Sequence, residues 1–197
     1  MSTLPTHEEQ LATAGIAYGR RHEVSYRIGL VMQVLGAGAL AVLYPLDSPF
    51  YSAGIMLFEL GVLLSAVYLL VRMSWIKRII LGSVVAGIAL QFAGYHAPEE
   101  YAGTVIIAGI GLVCMGGAGL VGKEAYCFAW REGWVLTGVY PLLVLATLLG
   151  RENVIFNTIG FSAIFLLLLS LTGKKLRQPL PATGATNACG MPEEKNS

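Results

Sequence analysis

Charge is scarce in this sequence: Asp, Glu, Lys and Arg make up 13% of 197 residues, against about 25% in an ordinary soluble domain. A soluble globular enzyme is thereby excluded. Net charge is only +1, so the overall balance suggests neither a nucleic-acid surface nor an acidic-ligand binder. Histidine is equally sparse. His7, His22 and His96 all lie outside the long apolar stretches, which argues against a haem held between helices. No metal-ligand spacing occurs, and neither a metal nor a cofactor is expected. The 3 cysteines are Cys114, Cys127 and Cys189. On the topology derived below none faces an oxidising compartment, so no structural disulfide is expected.

Apolar residues are abundant instead, at 55%. Windows of about 17–25 residues with few charges mark membrane crossings. Six such spans can be read: residues 28–44, 52–71, 79–95, 102–121, 133–150 and 153–172. The expected fold is all-α, a polytopic membrane helix bundle of six transmembrane helices. Residues 1–27 form an N-terminal tail, residues 28–172 the membrane domain, and residues 173–197 a disordered C-terminal tail. Only 33 residues remain for all five connections, too few for a folded domain between spans. The N-terminal segment is too acidic at Glu8 and Glu9 for a cleaved signal. Thr6 and Glu9 match a capping box, leaving a short surface helix or a frayed tail as alternatives there.

The basic residues are sorted. Arg20, Arg21 and Arg27, then Arg72, Lys77 and Arg78, then Lys123 and Arg131, then Lys174, Lys175, Arg177 and Lys195 fall on one side of the six spans, and Arg151 alone on the other. With 12 of 13 on one side, the positive-inside rule puts both termini in the cytoplasm. Ring-bearing residues agree. Tyr44, Phe50, Tyr51, Tyr95 and Tyr101 fall at the outer boundary and Trp75, Trp130 and Trp134 at the inner one, where amphipathic rings settle.

Within the spans, polar groups are few. Glu59 is seven residues in from Ser52, about 10 Å deep at 1.5 Å per residue. A carboxylate at that depth should face the bundle interior and either pair or stay protonated. Gln91 and Asn157 lie about 6 Å deep and Tyr140 about 15 Å deep from the same side, so a polar cluster can form in the outer half. It serves either as interhelical glue, contributing about 1 kcal/mol, or as a binding group on a solute or ion path. The fourth span carries Gly103, Gly109, Gly111, Gly116, Gly117 and Gly119; small residues let helices approach closely, so this span is placed centrally. Pro141 removes a backbone donor in the fifth span and predicts a kink near Thr137 and Gly138, with Thr137 available to bond the freed carbonyl.

The most distinctive string, Gly122–Trp134, reads GKEAYCFAWREGW. If helical, it aligns Tyr126, Trp130 and Trp134 in a stripe and brings Glu124, Cys127, Phe128 and Arg131 near one another. Glu124 and Arg131 could then reach Arg72, Lys77 or Arg78; otherwise the segment is a solvated, self-neutralising loop. The run KEAYCF, followed by Glu132, Gly133 and the Pro-containing YPLLVLATLLG, resembles a family of uncharacterised prokaryotic integral membrane proteins catalogued as a domain of unknown function. That resemblance implies a small bacterial protein of the cytoplasmic membrane and supplies no catalytic residues. It singles out Lys123, Glu124, Cys127 and Phe128 as site candidates.

The expected function is a small-solute or ion-handling, transporter-like bundle using Glu59, Gln91, Tyr140 and Asn157. The alternative is a non-catalytic scaffold or assembly factor docking a partner through Lys123, Glu124, Cys127 and Arg131. An enzyme is not expected: Cys127 as nucleophile would lack a nearby histidine base. The partners expected are the lipid bilayer and either a second copy or another membrane protein, with no nucleic acid.

Overall fold

The computed structural model describes residues 20–69, 71, 74–149, 154–178 and 180. Among these there are six α-helices and no strand: α1 Arg20–Leu43, α2 Tyr51–Val67, α3 Ser74–Tyr95, α4 Glu99–Phe128, α5 Arg131–Leu148 and α6 Val154–Arg177. Four are long and apolar enough to cross a membrane: α1, α3, α4 and α6. With 17 residues, α2 is shorter but apolar.

The helices overrun the predicted apolar spans at the end where basic residues collect. Arg20–Arg27 belongs to α1 rather than to a tail, Gly122–Phe128 continues α4 rather than forming a loop, and Gly173–Arg177 completes α6. Hydropathy windows stop at the first charges, whereas the backbone ladder continues as long as those charges find partners. Apart from Gln178 and Leu180, the remainder of both tails, with the Thr6–Glu9 box, lies outside the described residues.

Neighbouring helices run antiparallel. Along α1 and α2, Gly29 faces Gly61 and Ser65, Gly36 faces Phe58, and Leu40 faces Gly54. Ascending numbers on one helix thus meet descending numbers on the other. The same relation holds for α3 with α4, α4 with α5, and α1 with α6, where Gly38 meets Phe165 and Arg27 reaches Gln178. The helices close a ring from α1 through α6 and back, while α2 also touches α4 across it. The two ends of the described chain therefore lie together at one end of the bundle.

Small residues set the closest crossings. A Cβ on Gly87 would stand 2.6 Å from the Gly109 carbonyl oxygen, and one on Gly61 would stand 2.7 Å from that of Gly29. Both are backbone contacts that a methyl group could not share, so α3 with α4 and α1 with α2 meet along glycine. Beside the second crossing, fully buried Gln33 donates to Ser65 Oγ at 3.0 Å and to the Gly61 carbonyl at 3.3 Å. Leu30, Val62, Val84, Val113, Leu136 and Leu168, one from each helix, share the apolar core.

Two further expectations change. Thr137 Oγ1 donates to the Gly133 carbonyl at 2.8 Å, so it does not serve the carbonyl freed by Pro141, which is its own. The α5 helix runs through Pro141 without interruption. The Tyr126, Trp130, Trp134 stripe is broken because Ala129 adopts φ 53°, ψ 33° and Trp130 is extended. Ala129 thereby ends α4 in the left-handed region, a conformation costing a non-glycine residue about 1–2 kcal/mol. Phe128 and Trp130 stack across this corner, with centroids 4.8 Å apart.

Candidate functional site

Glu59, Gln91, Tyr140 and Asn157 all line one cavity of about 540 Å³ inside the ring. Every helix contributes to its wall. Glu59 sits on the buried face of α2, and its Oε1 accepts a hydrogen bond from Gln91 Nε2 of α3 at 2.6 Å. Asn157, near the start of α6, donates to the Tyr44 hydroxyl at 2.8 Å. This leaves Asn157 Oδ1 without a protein partner, as is the hydroxyl of Tyr140. Tyr140 is 1% exposed, and its ring packs against Phe58.

The rest of the wall is mainly apolar, with Ile106, Ile110, Val113, Leu143 and Phe161 among its residues. It reaches Tyr51, Ser52 and Tyr95 at the end of the bundle opposite Arg20 and Arg177. Cys114, Tyr44 and Thr147 also line it. Sequence reading did not place these three. Tyr44 carried the signal of a boundary aromatic, and nothing along α4 distinguishes the inward position of Cys114 from its neighbours.

A second cluster occupies the other end. Glu124 is 0% exposed. Its Oε1 accepts from the Tyr26 hydroxyl at 2.9 Å and from Lys123 Nζ at 3.0 Å. Its Oε2 lies 3.2 Å from Lys175 Nζ, an ion pair outside hydrogen-bond alignment. Lys175 Nζ is also 3.7 Å from Glu23 and stands over the rings of Phe128 and Tyr26, at 4.7 and 5.7 Å from their centroids, close enough for cation–π attraction. Glu23 is paired with Arg27 at 2.9 Å. Arg27 Nη1 donates to the Gln178 carbonyl at 2.9 Å, placing a cation on the final carbonyls of α6, where the helix dipole favours it. Buried charges persist only when paired and hydrogen-bonded; here α1, α4 and α6 supply the partners for one another.

The expected reach of Glu124 towards the second connection is therefore corrected: it points to α1 and α6. Arg131 begins a different helix, α5, and is exposed, so it shares no face with Glu124. Arg72 lies outside the described residues. Lys174 and the Ser170 hydroxyl both donate to Glu132, and the Lys174 ammonium chiefly holds that carboxyl below the usual carboxylate range. Cys127 is disulfide-bonded, so it offers no free nucleophile. The expectation of no disulfide is corrected with it, since that expectation rested on compartment and not on geometry. Among the described residues, no group of three or more His, Cys, Asp and Glu side chains is placed to hold a metal ion.

The family of uncharacterized integral membrane proteins described as DUF2301 matches residues 62–184. The chain belongs to this family. The DUF2301 match takes in α3 to α6 entire, and with them Gln91, Tyr140, Asn157 and the Lys123–Arg131 segment; Glu59 and all of α1 precede it. The chain is thus an integral, multi-pass membrane protein. No curated protein and no solved structure matches it.

The expected resemblance to a family of uncharacterised integral membrane proteins is met. Sequence reading did not single out the members of the buried network other than Lys123, Glu124 and Phe128. Glu23 and Arg27 stand at helical i, i+4 spacing with Tyr26 between them, the one signal that could have drawn attention to them.

Proposed function

We propose that the chain crosses a bacterial cytoplasmic membrane six times, with both ends in the cytoplasm, and works as a transporter-like bundle admitting a small solute to the cavity beside Glu59. The observation that carries this reading is the shared cavity. Four polar groups from α2, α3, α5 and α6 converge on a mainly apolar space of about 540 Å³, within the range of roughly 300–1,000 Å³ typical of ligand sites. Passive packing would favour filling such a space with side chains. Its asymmetry also supports the reading: the cavity extends to one end, while Val62, Leu120, Val121 and Glu124 pack below it with no exposed surface.

A docking role for Lys123–Glu132 draws less support. Lys123 and Glu124 turn inward to Tyr26 and Lys175, so two of the charges that would meet a partner are paired within the bundle, and Arg131 alone of that set stays exposed.

The cavity reading is tested with Ile55→Cys, one turn outward from Glu59, in a Cys114→Ala background. A membrane-impermeant maleimide should label it above the parent in right-side-out vesicles and not in inside-out ones. Absence of labelling from either side would remove the access that a solute needs.

A further inference from the structure

Resting on the cavity reading just given, we infer that the cavity takes an organic ammonium ion with an apolar body, its nitrogen seated against the Glu59 carboxylate. The first ground is charge. Glu59 is the single carboxylate among the lining residues, and they include no Lys, Arg or His. Its hydrogen-bond partner is the neutral amide of Gln91. A carboxylate at that depth either stays protonated or meets a compensating cation; an ammonium ion supplies that cation, whereas an anion would be repelled.

The second ground is the orphaned polar atoms. Tyr140 Oη and Asn157 Oδ1 are buried, lack protein partners and belong to residues of the same wall. Asn157 spends its amide protons on Tyr44, so its free atom is an acceptor only. Acceptors from three helices suit a head group with several N–H donors. An ammonium has up to three.

The third ground is the rest of the wall. A divalent cation such as calcium would need about 6–8 oxygen ligands, and no such set surrounds Glu59. Apolar residues dominate instead, and Tyr44, Phe58, Tyr140 and Phe161 are among the lining residues, a composition suited to an ammonium group, which aromatic rings attract, on an apolar body. At the same end of the bundle the described charges are Asp47, between α1 and α2, and Glu99 and Glu100, in the first turn of α4. Negative charge there concentrates cations before entry.

Three matched probes separate the alternatives: 4-phenylbutylamine, 4-phenylbutan-1-ol and 4-phenylbutyrate, titrated against the full chain in lipid nanodiscs with empty discs subtracted. The amine should bind at least about tenfold more tightly than the alcohol, a difference of about 1.4 kcal/mol, and the carboxylate should show no saturable binding. Glu59→Gln should abolish the preference for amine over alcohol, and saturable alcohol binding by that variant reports that the cavity is still formed. If that variant does not accumulate, the wild-type amine-to-alcohol ratio decides alone. Equal binding of amine and alcohol, survival of the preference in Glu59→Gln, or saturable binding of none of the probes would overturn the assignment. If Ile55→Cys is still labelled from outside, only the ammonium assignment falls; if labelling also fails, the cavity reading falls with it.

Discussion

Glu124 is the side chain on which the basic end depends most. Replacing it with alanine would leave Lys123 and Lys175, 12% and 6% exposed at the side chain, without their shared carboxylate. Removing one partner from a buried ion pair costs about 3–5 kcal/mol. Glu124→Ala should therefore lower the unfolding temperature in detergent strongly. Glu132→Ala, which breaks a pair exposed to solvent, should leave it nearly unchanged, because such pairs are worth little. Equal effects would refute the ranking. The contrast also shows what was legible at this scale. Glu59 and Gln91 could be matched by depth, because rise per residue is fixed, and the structure bonds them. Glu124 could not be matched to Tyr26 and Lys175, because its partners lie 98 and 51 positions away along the chain and no local periodicity records which helices adjoin.

At the scale of the helix, glycine position decides what substitution does. On α3, Gly87 meets the α4 backbone, whereas a Cβ on Gly82 would meet nothing within 4 Å. Gly87→Ala should push α3 from α4 and cost about 1–3 kcal/mol, the usual penalty of overpacking. Gly82→Ala should be neutral, or stabilising by up to about 1 kcal/mol through helix propensity. Paired thermal unfolding of the two variants checks this, and a destabilising Gly82→Ala would contradict the packing. Helix existence was readable from apolar runs. Helix ends were not: α4 extends through Lys123 and Glu124 to Phe128, because charges satisfied by other helices look in sequence like charges satisfied by water. The close packing of the glycine-rich α4 was readable from composition, and its contacts with α2, α3 and α5 suit a helix with little side-chain bulk.

For the molecule as a whole, the two ends differ in character. Arg20 at the start of α1, Arg177 at the close of α6, the buried ion network and the other described basic residues share one end; the outer residues of the cavity, with Asp47, Glu99 and Glu100, lie at the other. This division follows from antiparallel neighbours and was legible through the sorting of Lys and Arg, because topology is written in residues that stay near the membrane surface. A protease added to inside-out vesicles should remove tags placed at both termini, and a tag inserted at Asp47 should be cut only in right-side-out vesicles. Protection of one terminus but not the other would require an odd number of crossings. The cavity itself was not legible, since an enclosed space is a property of six helices together and of no single one.

The buried network also dictates an order of assembly. Glu124 leaves the ribosome 51 residues before Lys175. At about 5–20 residues per second, it waits several seconds with Lys123 and the residues of α1 as its partners. Only when α6 arrives does Lys175 complete the pairing, while Arg27 grips the last carbonyls of that helix. The final helix is thus the clasp of the bundle, and a chain ending before it would leave Glu124 Oε2 and Glu23 without the Lys175 ammonium that lies between them.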